Sequence, residues 1–178
     1  MKSKLSGALL IEPDVFEDAR GYFMESYQTE RYAALGIPNV FVQDNHSLSK
    51  EAGVLRGLHY QLHPQAQSKL VRVTAGAVYD VVVDIRSGSP TFGQWEGFEL
   101  SERNKKQLFV PAGFAHGFCT LESNTEVQYK VDRLYSREHD RGIRWDDPKL
   151  AIGWPTRTPI LSEKDAAHPL LDQAEINF

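Results

Sequence analysis

The sequence predicts an all-β domain, an antiparallel sandwich or barrel of which the jelly roll is one form. Two observations carry this. Short stretches that alternate apolar and polar side chains, or run apolar for a few residues, recur with turn signals about every 8 to 12 residues. Only two short segments carry helix signals, at residues 29–35 and after Ser162. Such a barrel offers one natural pocket, its open interior.

The 178 residues suit one domain, taken as 1–178, and 41% hydrophobic with 11% aromatic residues is enough for a sizeable core. The formal net charge is −4, with acids and bases interspersed. No basic run suggests nucleic acid, and no acidic tail suggests a disordered arm. An anionic ligand must therefore be met by a local cluster of Arg and Lys. No apolar run reaches membrane-spanning length. Leu9-Leu10-Ile11 is cut short by Glu12-Pro13, so no secretory signal is read and the cytoplasm is the expected compartment. Cys119 is the one cysteine, which rules out an intrachain disulfide. Within Gly117-Phe118-Cys119-Thr120-Leu121 it reads as a packing residue.

Up to residue 28, apolar stretches alternate with breaks at Pro13-Asp14 and Glu17-Asp18-Ala19-Arg20-Gly21. Residues 22–27 read as a strand. Arg20, before a glycine, is either an ordinary turn arginine or an anion contact. Residues 29–35 read as a short helix, with Thr29 as its N-cap and Gly36 as its stop. Residues 40–48 begin as a strand and turn polar. Gln43 and Asn45 share a face there, which suits a polar cavity or, as the simpler expectation, plain surface.

Residues 62–68, with His63-Pro64, form a loop. Residues 69–74 are a strand, Ala75-Gly76 a turn, and 78–86 an apolar strand interrupted by Asp80 and Asp84. A carboxylate in such a run is costly unless paired or functional. Asp80 is therefore either a hydrogen-bonded core residue or part of a site. Residues 95–100 and 107–110 are further strands, and residues 111–116 are a tight turn that delivers His116 to the next one. Residues 126–131 alternate, with Val127, Tyr129 and Val131 on one face, so the Tyr129 hydroxyl needs a hydrogen-bond partner. Residues 132–160 are irregular. Ser162-Glu163-Lys164-Asp165 reads as a capping box opening a short helix.

The stretch Gly53-Val54-Leu55-Arg56-Gly57-Leu58-His59-Tyr60-Gln61 organises the rest. Its alternation predicts a strand with Leu55, Gly57, His59 and Gln61 on one face and Arg56, Leu58 and Tyr60 on the other. That separates Arg56 from His59, unless Gly57 marks a bulge that re-aims one of them. Taken alone, the stretch is equally a half-buried strand with a structural histidine.

No glycine-rich dinucleotide fingerprint, phosphate loop or nucleophile elbow is present, and no organic cofactor is expected. Pro111-x-Gly113-x-x-His116 matches the second metal-binding signature of the cupin jelly rolls. The strand where the first signature's His-x-His belongs reads His59-Tyr60-Gln61, and Lys69 lies near where its carboxylate is wanted. A lysine beside the ligands opposes a divalent cation, and His63 falls in a loop, so no metal is expected. The groups left are His59, His116, Lys69, Asp80, Tyr129 and Asp165. They suit proton transfer at a carbon next to a carbonyl: a histidine base oriented by a carboxylate, a lysine beside the enolate oxygen, and a tyrosine acid across the cavity.

Seven motifs follow one another in a set order. They are Asp18-Ala19-Arg20-Gly21-Tyr22-Phe23-Met24-Glu25, Gln43-Asp44-Asn45-His46-Ser47, Val54-Leu55-Arg56-Gly57-Leu58-His59-Tyr60-Gln61, Val78-Tyr79-Asp80-Val81-Val82-Val83-Asp84-Ile85-Arg86, Pro111-Ala112-Gly113-Phe114-Ala115-His116-Gly117-Phe118, Ile143-Arg144-Trp145-Asp146-Asp147-Pro148 and Leu161-Ser162-Glu163-Lys164-Asp165. With these the chain resembles the dTDP-4-dehydrorhamnose 3,5-epimerases, metal-free and cofactor-independent cupin-fold enzymes of dTDP-L-rhamnose synthesis, over about residues 18–169. The resemblance implies a cupin-type antiparallel jelly-roll barrel with a few short helices. It implies epimerisation at C3 and C5 of dTDP-4-dehydro-6-deoxy-D-glucose, in carbohydrate synthesis of the lipopolysaccharide kind.

By position, His59 matches the general base, Asp165 its partner and Tyr129 the proton donor. Tyr135 matches the tyrosine that stacks on thymine. Lys69, His116 and Asp80 match residues around the sugar, and Arg20 and Arg56 match contacts to diphosphate and sugar. Phe23, Glu25, Gln43, Asn45 and Lys164 complete the implied substrate contacts. The family is homodimeric, with N-terminal strands, here about residues 1–28, exchanged so that Arg20 and Glu25 serve the partner's site. A C-terminal segment, about residues 160–178, would pack on the barrel. One departure matters. After Tyr135 the family usually has Tyr-x-Pro-x-x-Glu, whereas Ser136-Arg137-Glu138-His139-Asp140 lacks the proline and puts the shorter Asp140 where a substrate-binding glutamate is expected. Either the loop moves inward, or that contact weakens, or Glu138 substitutes. The rival readings are a single-carbon epimerase of a related dTDP-4-keto-6-deoxysugar, a metal-dependent cupin oxygenase and a non-catalytic sugar-binding cupin.

Overall fold

A computed structural model describes residues 3–178; the first two residues of the expected N-terminal arm lie outside the described residues. The chain runs β1 (Leu9–Ile11), β2 (Val15–Asp18), β3 (Gly21–Met24), α1 (Thr29–Ala34), β4 (Gln43–Ser49), β5 (Leu55–Gln61), β6 (Lys69–Ala75) and β7 (Ala77–Asp84). It continues with β8 (Trp95–Ser101), β9 (Gln107–Val110), β10 (Phe114–Thr120), β11 (Thr125–Val131), β12 (Asp140–Gly142), α2 (Glu163–Ala166) and a single 3-10 turn at Leu171–Gln173. Two five-stranded antiparallel sheets, β1-β9-β6-β11-β4 and β12-β5-β10-β7-β8, face each other, and β2-β3 forms a separate hairpin. This is the jelly roll that the strand spacing predicts.

Three apolar layers hold it. Val71, Val73, Leu108 and Val127 of the first sheet meet Val78, Val82, Leu100, Phe114 and Phe118 of the second between the sheets. Leu58, Tyr60, Val81, Val83 and Ala115 point to the outer face of the second sheet, where Ile143, Leu150 and Leu171, from the chain after β12, cover them. This second layer explains why β7 is apolar on both faces. Each fully buried Val or Leu contributes about 1.5–3 kcal/mol, so the covering segment is held by packing although it has little regular structure. A third cluster, Ile11, Tyr32, Ile37, Leu70 and Phe109, seats α1 on the outside of the first sheet.

Several local expectations shift. Gln28, not Thr29, caps α1, because its side chain accepts the Arg31 N–H; Gly36, at φ +94°, follows the helix as expected. Ladder pairing in β4 begins only at Gln43, opposite Val131, so residues 40–42 precede the strand. The region read as irregular contains β12, which pairs with β5 through Asp140↔Gln61 and Gly142↔His59. Asp84 is a core carboxylate: Arg86, Ser89 and Thr91 all donate to it. Burial pushes its pKa up, but these donors prevail and hold it well below the usual carboxylate range. Cys119 is buried, and burial raises its thiol pKa to about 11, as suits a packing residue.

The decisive local feature is in β5. Against β10, His116 pairs with His59 but Phe118 pairs with Arg56, so β5 carries one extra residue at Gly57-Leu58. Gly57 has φ +126°, and a β-carbon on it would fall 2.5 Å from Gly117 Cα and 2.8 Å from the His116 carbonyl oxygen. The extra residue resets the alternation. Arg56 and His59 now open on one cavity, while Leu58 and Tyr60 turn into the outer layer. Replacing Gly57 by Ala combines an unfavourable backbone with a backbone clash. Gly57→Ala is expected to lower unfolding free energy by roughly 2–4 kcal/mol, read as a lowered denaturant midpoint at unchanged m-value.

Candidate active site

Between the sheets lies a cavity of about 440 Å³, lined by Arg56, His59, Lys69, His116, Phe118 and Tyr129 of the barrel and by Ser162, Lys164 and Asp165 of the C-terminal segment. A smaller compartment of about 240 Å³ shares His59, Lys69, Tyr129 and Lys164 and adds Gln43, Asn45, Tyr135 and Asp140. Together they have the size of a small-ligand site. Gln43 and Asn45 therefore face this cavity and not plain surface; Gln43 donates to Asn45 Oδ1 and accepts from the Tyr135 N–H.

At its centre, His59 Nε2 and Asp165 Oδ1 are 2.5 Å apart. Asp165 is the third residue of α2, and the Ser162 hydroxyl both accepts its N–H (3.1 Å) and donates to its Oδ2 (2.8 Å). Asp165 thus meets the helix cap Ser162 through its N–H and Oδ2 and His59 through Oδ1. Burial pushes the Asp165 pKa up, but the contacts of His168, His59 and Ser162 outweigh it and hold the carboxyl well below its ordinary range. An ionised carboxylate only accepts, so His59 Nε2 carries the hydrogen and Nδ1 is left with the lone pair. Burial lowers the His59 pKa, against the opposing pull of Asp165 and with help from Lys69.

Lys69 reaches the His59 carbonyl at 3.5 Å. Burial depresses its pKa to about 8, although Asp80 and Asp140 favour its charge. Asp80 does not line the cavity. It is fully buried behind His116 and bonds His116 Nε2 at 2.8 Å, so it corrects the expectation of a sugar contact: it orients His116 and acts on Lys69 through its charge. The histidine of the second cupin signature is thus held by a carboxylate. Among the described residues, the group of metal-ligand type is a different one, His59, Asp165 and His168. Tyr129 lines both compartments, and its hydroxyl makes no hydrogen bond among the described residues. The expected partner is not found among the described residues; the phenol opens on the cavity. Burial raises its pKa, with Asp140 adding to this and Arg56 opposing it, which keeps the proton on the oxygen at neutral pH.

At the outer compartment, Asp140 Oδ2 accepts from the Tyr135 hydroxyl at 3.0 Å and from Lys164 Nζ at 2.5 Å. Glu138 is exposed and lines neither compartment, so Asp140 holds the position. Pairing with β5 moves it inward. Arg20, Phe23 and Glu25 are not brought to this cavity. Arg20 pairs with Asp18 and Glu25 with Arg31, and Phe23 is 71% exposed on or beside the β2-β3 hairpin. Sequence reasoning missed Ser47 and Phe118, which line the cavity. Their signal was present: Ser47 continues the Gln43, Asn45 alternation and Phe118 that of His116.

Comparison with known proteins agrees with this geometry. Residues 2–173 match the family described as dTDP-4-dehydrorhamnose 3,5-epimerase. The chain belongs to that family. A Sinorhizobium fredii dTDP-4-dehydrorhamnose 3,5-epimerase is 53% identical over 171 residues, 95% of this chain and 87% of the relative. The crystal structure of a Bacillus anthracis dTDP-4-dehydrorhamnose 3,5-epimerase with TDP and PPi bound superposes with a TM-score of 0.94 at 54% identity, covering 96% of this chain and 97% of that one. A Legionella pneumophila dTDP-6-deoxy-D-glucose-3,5-epimerase in complex with dTDP-4-keto-L-rhamnose gives 0.93 at 50% identity, covering 97% and 92%. The chain is thus an isomerase of the carbohydrate-epimerase kind.

The site's charges set its pH response. With His59 as a base, which must be unprotonated, and Lys69 as a stabilising ammonium, which must be protonated, the rate would rise through the His59 pKa and fall through that of Lys69. We expect a bell-shaped kcat/KM profile with its acid limb below the ordinary histidine value of about 6.5 and its alkaline limb near 8. In Lys69→Arg, whose cation does not titrate in this range, the alkaline limb should disappear at whatever rate remains.

Proposed function

We propose that the chain converts dTDP-4-dehydro-6-deoxy-D-glucose to dTDP-4-dehydro-L-rhamnose by epimerising C3 and C5, with His59 as base and Tyr129 as acid. The observation that carries this reading is the His59–Asp165 pair facing an unbonded tyrosine hydroxyl across one cavity, with a lysine beside it. The 4-keto group makes the protons on C3 and C5 acidic. His59 Nδ1 takes the C5 proton, and the electron pair left behind moves into an enolate whose oxygen the Lys69 ammonium stabilises. Asp165 stabilises the imidazolium that forms. Tyr129 then delivers a proton to C5 from the opposite face, which inverts the carbon. Once His59 has released that proton to solvent, it takes the C3 proton in a separate step, and a proton added to the opposite face of the second enolate inverts C3.

Arg56 and the outer compartment are assigned to the nucleotide: Arg56 to the charged diphosphate and sugar, Tyr135 to the thymine ring, and Gln43, Asn45, Asp140 and Lys164 to polar contacts. His116, backed by Asp80, borders the sugar. The protein works as a homodimer in which the β2-β3 hairpin reaches the partner's cavity, carrying Arg20, Phe23 and Glu25. The support is their exposure: Phe16, Tyr22 and Phe23 leave an apolar hairpin uncovered on its own chain. The reaction belongs in the cytoplasm, beside nucleotide-sugar synthesis.

His59→Ala is expected to reduce deuterium uptake from D2O at both carbons by roughly 10²–10⁴-fold, measured by mass spectrometry of the recovered nucleotide sugar. Uptake within a few-fold of the parent at either carbon contradicts the single-base assignment.

A further inference from the structure

Asp165 has a second histidine beside it. His168 lies just beyond α2, and its Nε2 stands 3.5 Å from Asp165 Oδ1, the same oxygen that faces His59 Nε2. All three ligand atoms lie within 4.8 Å of one another, and the two imidazoles meet edge to face at 5.5 Å. The His168 side chain is only 9% exposed, and its Nε2 has no hydrogen-bond partner. A buried imidazole nitrogen without a partner is costly. Its place depends on Gly142, the residue opposite His59 in the β12-β5 ladder: a β-carbon there would run into the His168 ring. The following turn is pinned by the Arg144 N–H on the Pro169 carbonyl.

Two imidazoles and an ionised carboxylate with their ligand atoms this close are a donor set for a zinc-type ion. We propose that His59, Asp165 and His168 form a binding site for a divalent transition-metal ion, and that its occupation reversibly silences the epimerase. The silencing, though not the binding, rests on His59 being the base. Ligand atoms of a tetrahedral zinc stand about 3.4 Å apart, so the Asp165–His168 spacing of 3.5 Å already suits it, while His59 and Asp165, at 2.5 Å, must part to admit the ion. Lys69, the cation near His59, directs its Nζ to the main-chain carbonyl of that residue. Coordination uses the Nε2 lone pair of His59. The one ring hydrogen of the neutral imidazole must then sit on Nδ1, so the nitrogen that takes the substrate proton is blocked. No redox change and no further reactant is involved.

The test is a titration of chelator-treated, full-length protein with Co²⁺ alone, read by visible absorption, followed by displacement with Zn²⁺. Wild type should bind one Co²⁺ with ligand-field bands, and both His168→Ala and the space-filling His168→Gln should weaken that binding by roughly a hundredfold or more. Zn²⁺ should inhibit wild type and a chelator should restore it, whereas the activity that the variants keep should need at least about tenfold more Zn²⁺ to fall. Absence of a one-to-one cobalt spectrum in folded wild type, or unchanged affinity in both variants, overturns the site. Stoichiometric Zn²⁺ bound through His168 with full turnover retained overturns the silencing, and with it the assignment of His59 as base.

Discussion

Gly57 and Gly117 lie backbone against backbone, with no room for a β-carbon on either. On that close approach depends the extra residue in β5, and on the extra residue depends the face to which each later side chain of the strand turns. Without it, His59 and Gln61 would turn into the apolar layer under the C-terminal segment, and Leu58 and Tyr60 would turn into the cavity. The cavity face and the packing face of the second sheet are therefore set by one backbone contact. The chain after β12 completes the arrangement: it covers the outer layer with Leu150 and Leu171, beside Ile143, and returns Asp165 to His59, 106 positions away in sequence.

Around this frame, burial and charge act in opposition. Burial disfavours the charged forms of His59, Lys69 and Asp165 alike. For Asp165 the surrounding donors prevail and it stays an anion. For Lys69 burial prevails, and its ammonium is held less firmly than in water. For His59 burial also prevails, which leaves a neutral imidazole ready to accept a proton. Tyr129 is driven the same way, toward its neutral form, but for a phenol that is the acid. One cavity thus holds a neutral imidazole and a protonated phenol on facing sheets.

Much of this was legible in the sequence. Strand spacing and scarce helix signals pointed to the jelly roll, and Gly57 between Arg56 and His59 marked the bulge. The capping pattern at Ser162 placed a helix start where Asp165 proved to be. What stayed hidden depends on long-range pairing. Asp140 belongs to a strand of three residues whose sequence, Asp-Arg-Gly, has no β-pattern of its own; only pairing with β5 brings it inward. Gln43 and Asn45 alternate equally well on a surface or in a cavity, and the facing sheet decides between them. Asp80 carried a real signal, a carboxylate in an apolar run, but its partner His116 lies on the neighbouring strand, beyond the reach of local patterns.

The central claim is that this cavity removes and returns protons at two carbons of one sugar. Proton NMR of dTDP-4-dehydro-6-deoxy-D-glucose incubated with the wild-type protein in D2O, without added metal, tests it most directly. The account predicts that the C3 and C5 proton signals both disappear as the product forms. Persistence of either signal in the presence of folded protein would contradict it: one surviving signal would mean a single-carbon epimerase, and two would mean that the cavity serves another substrate.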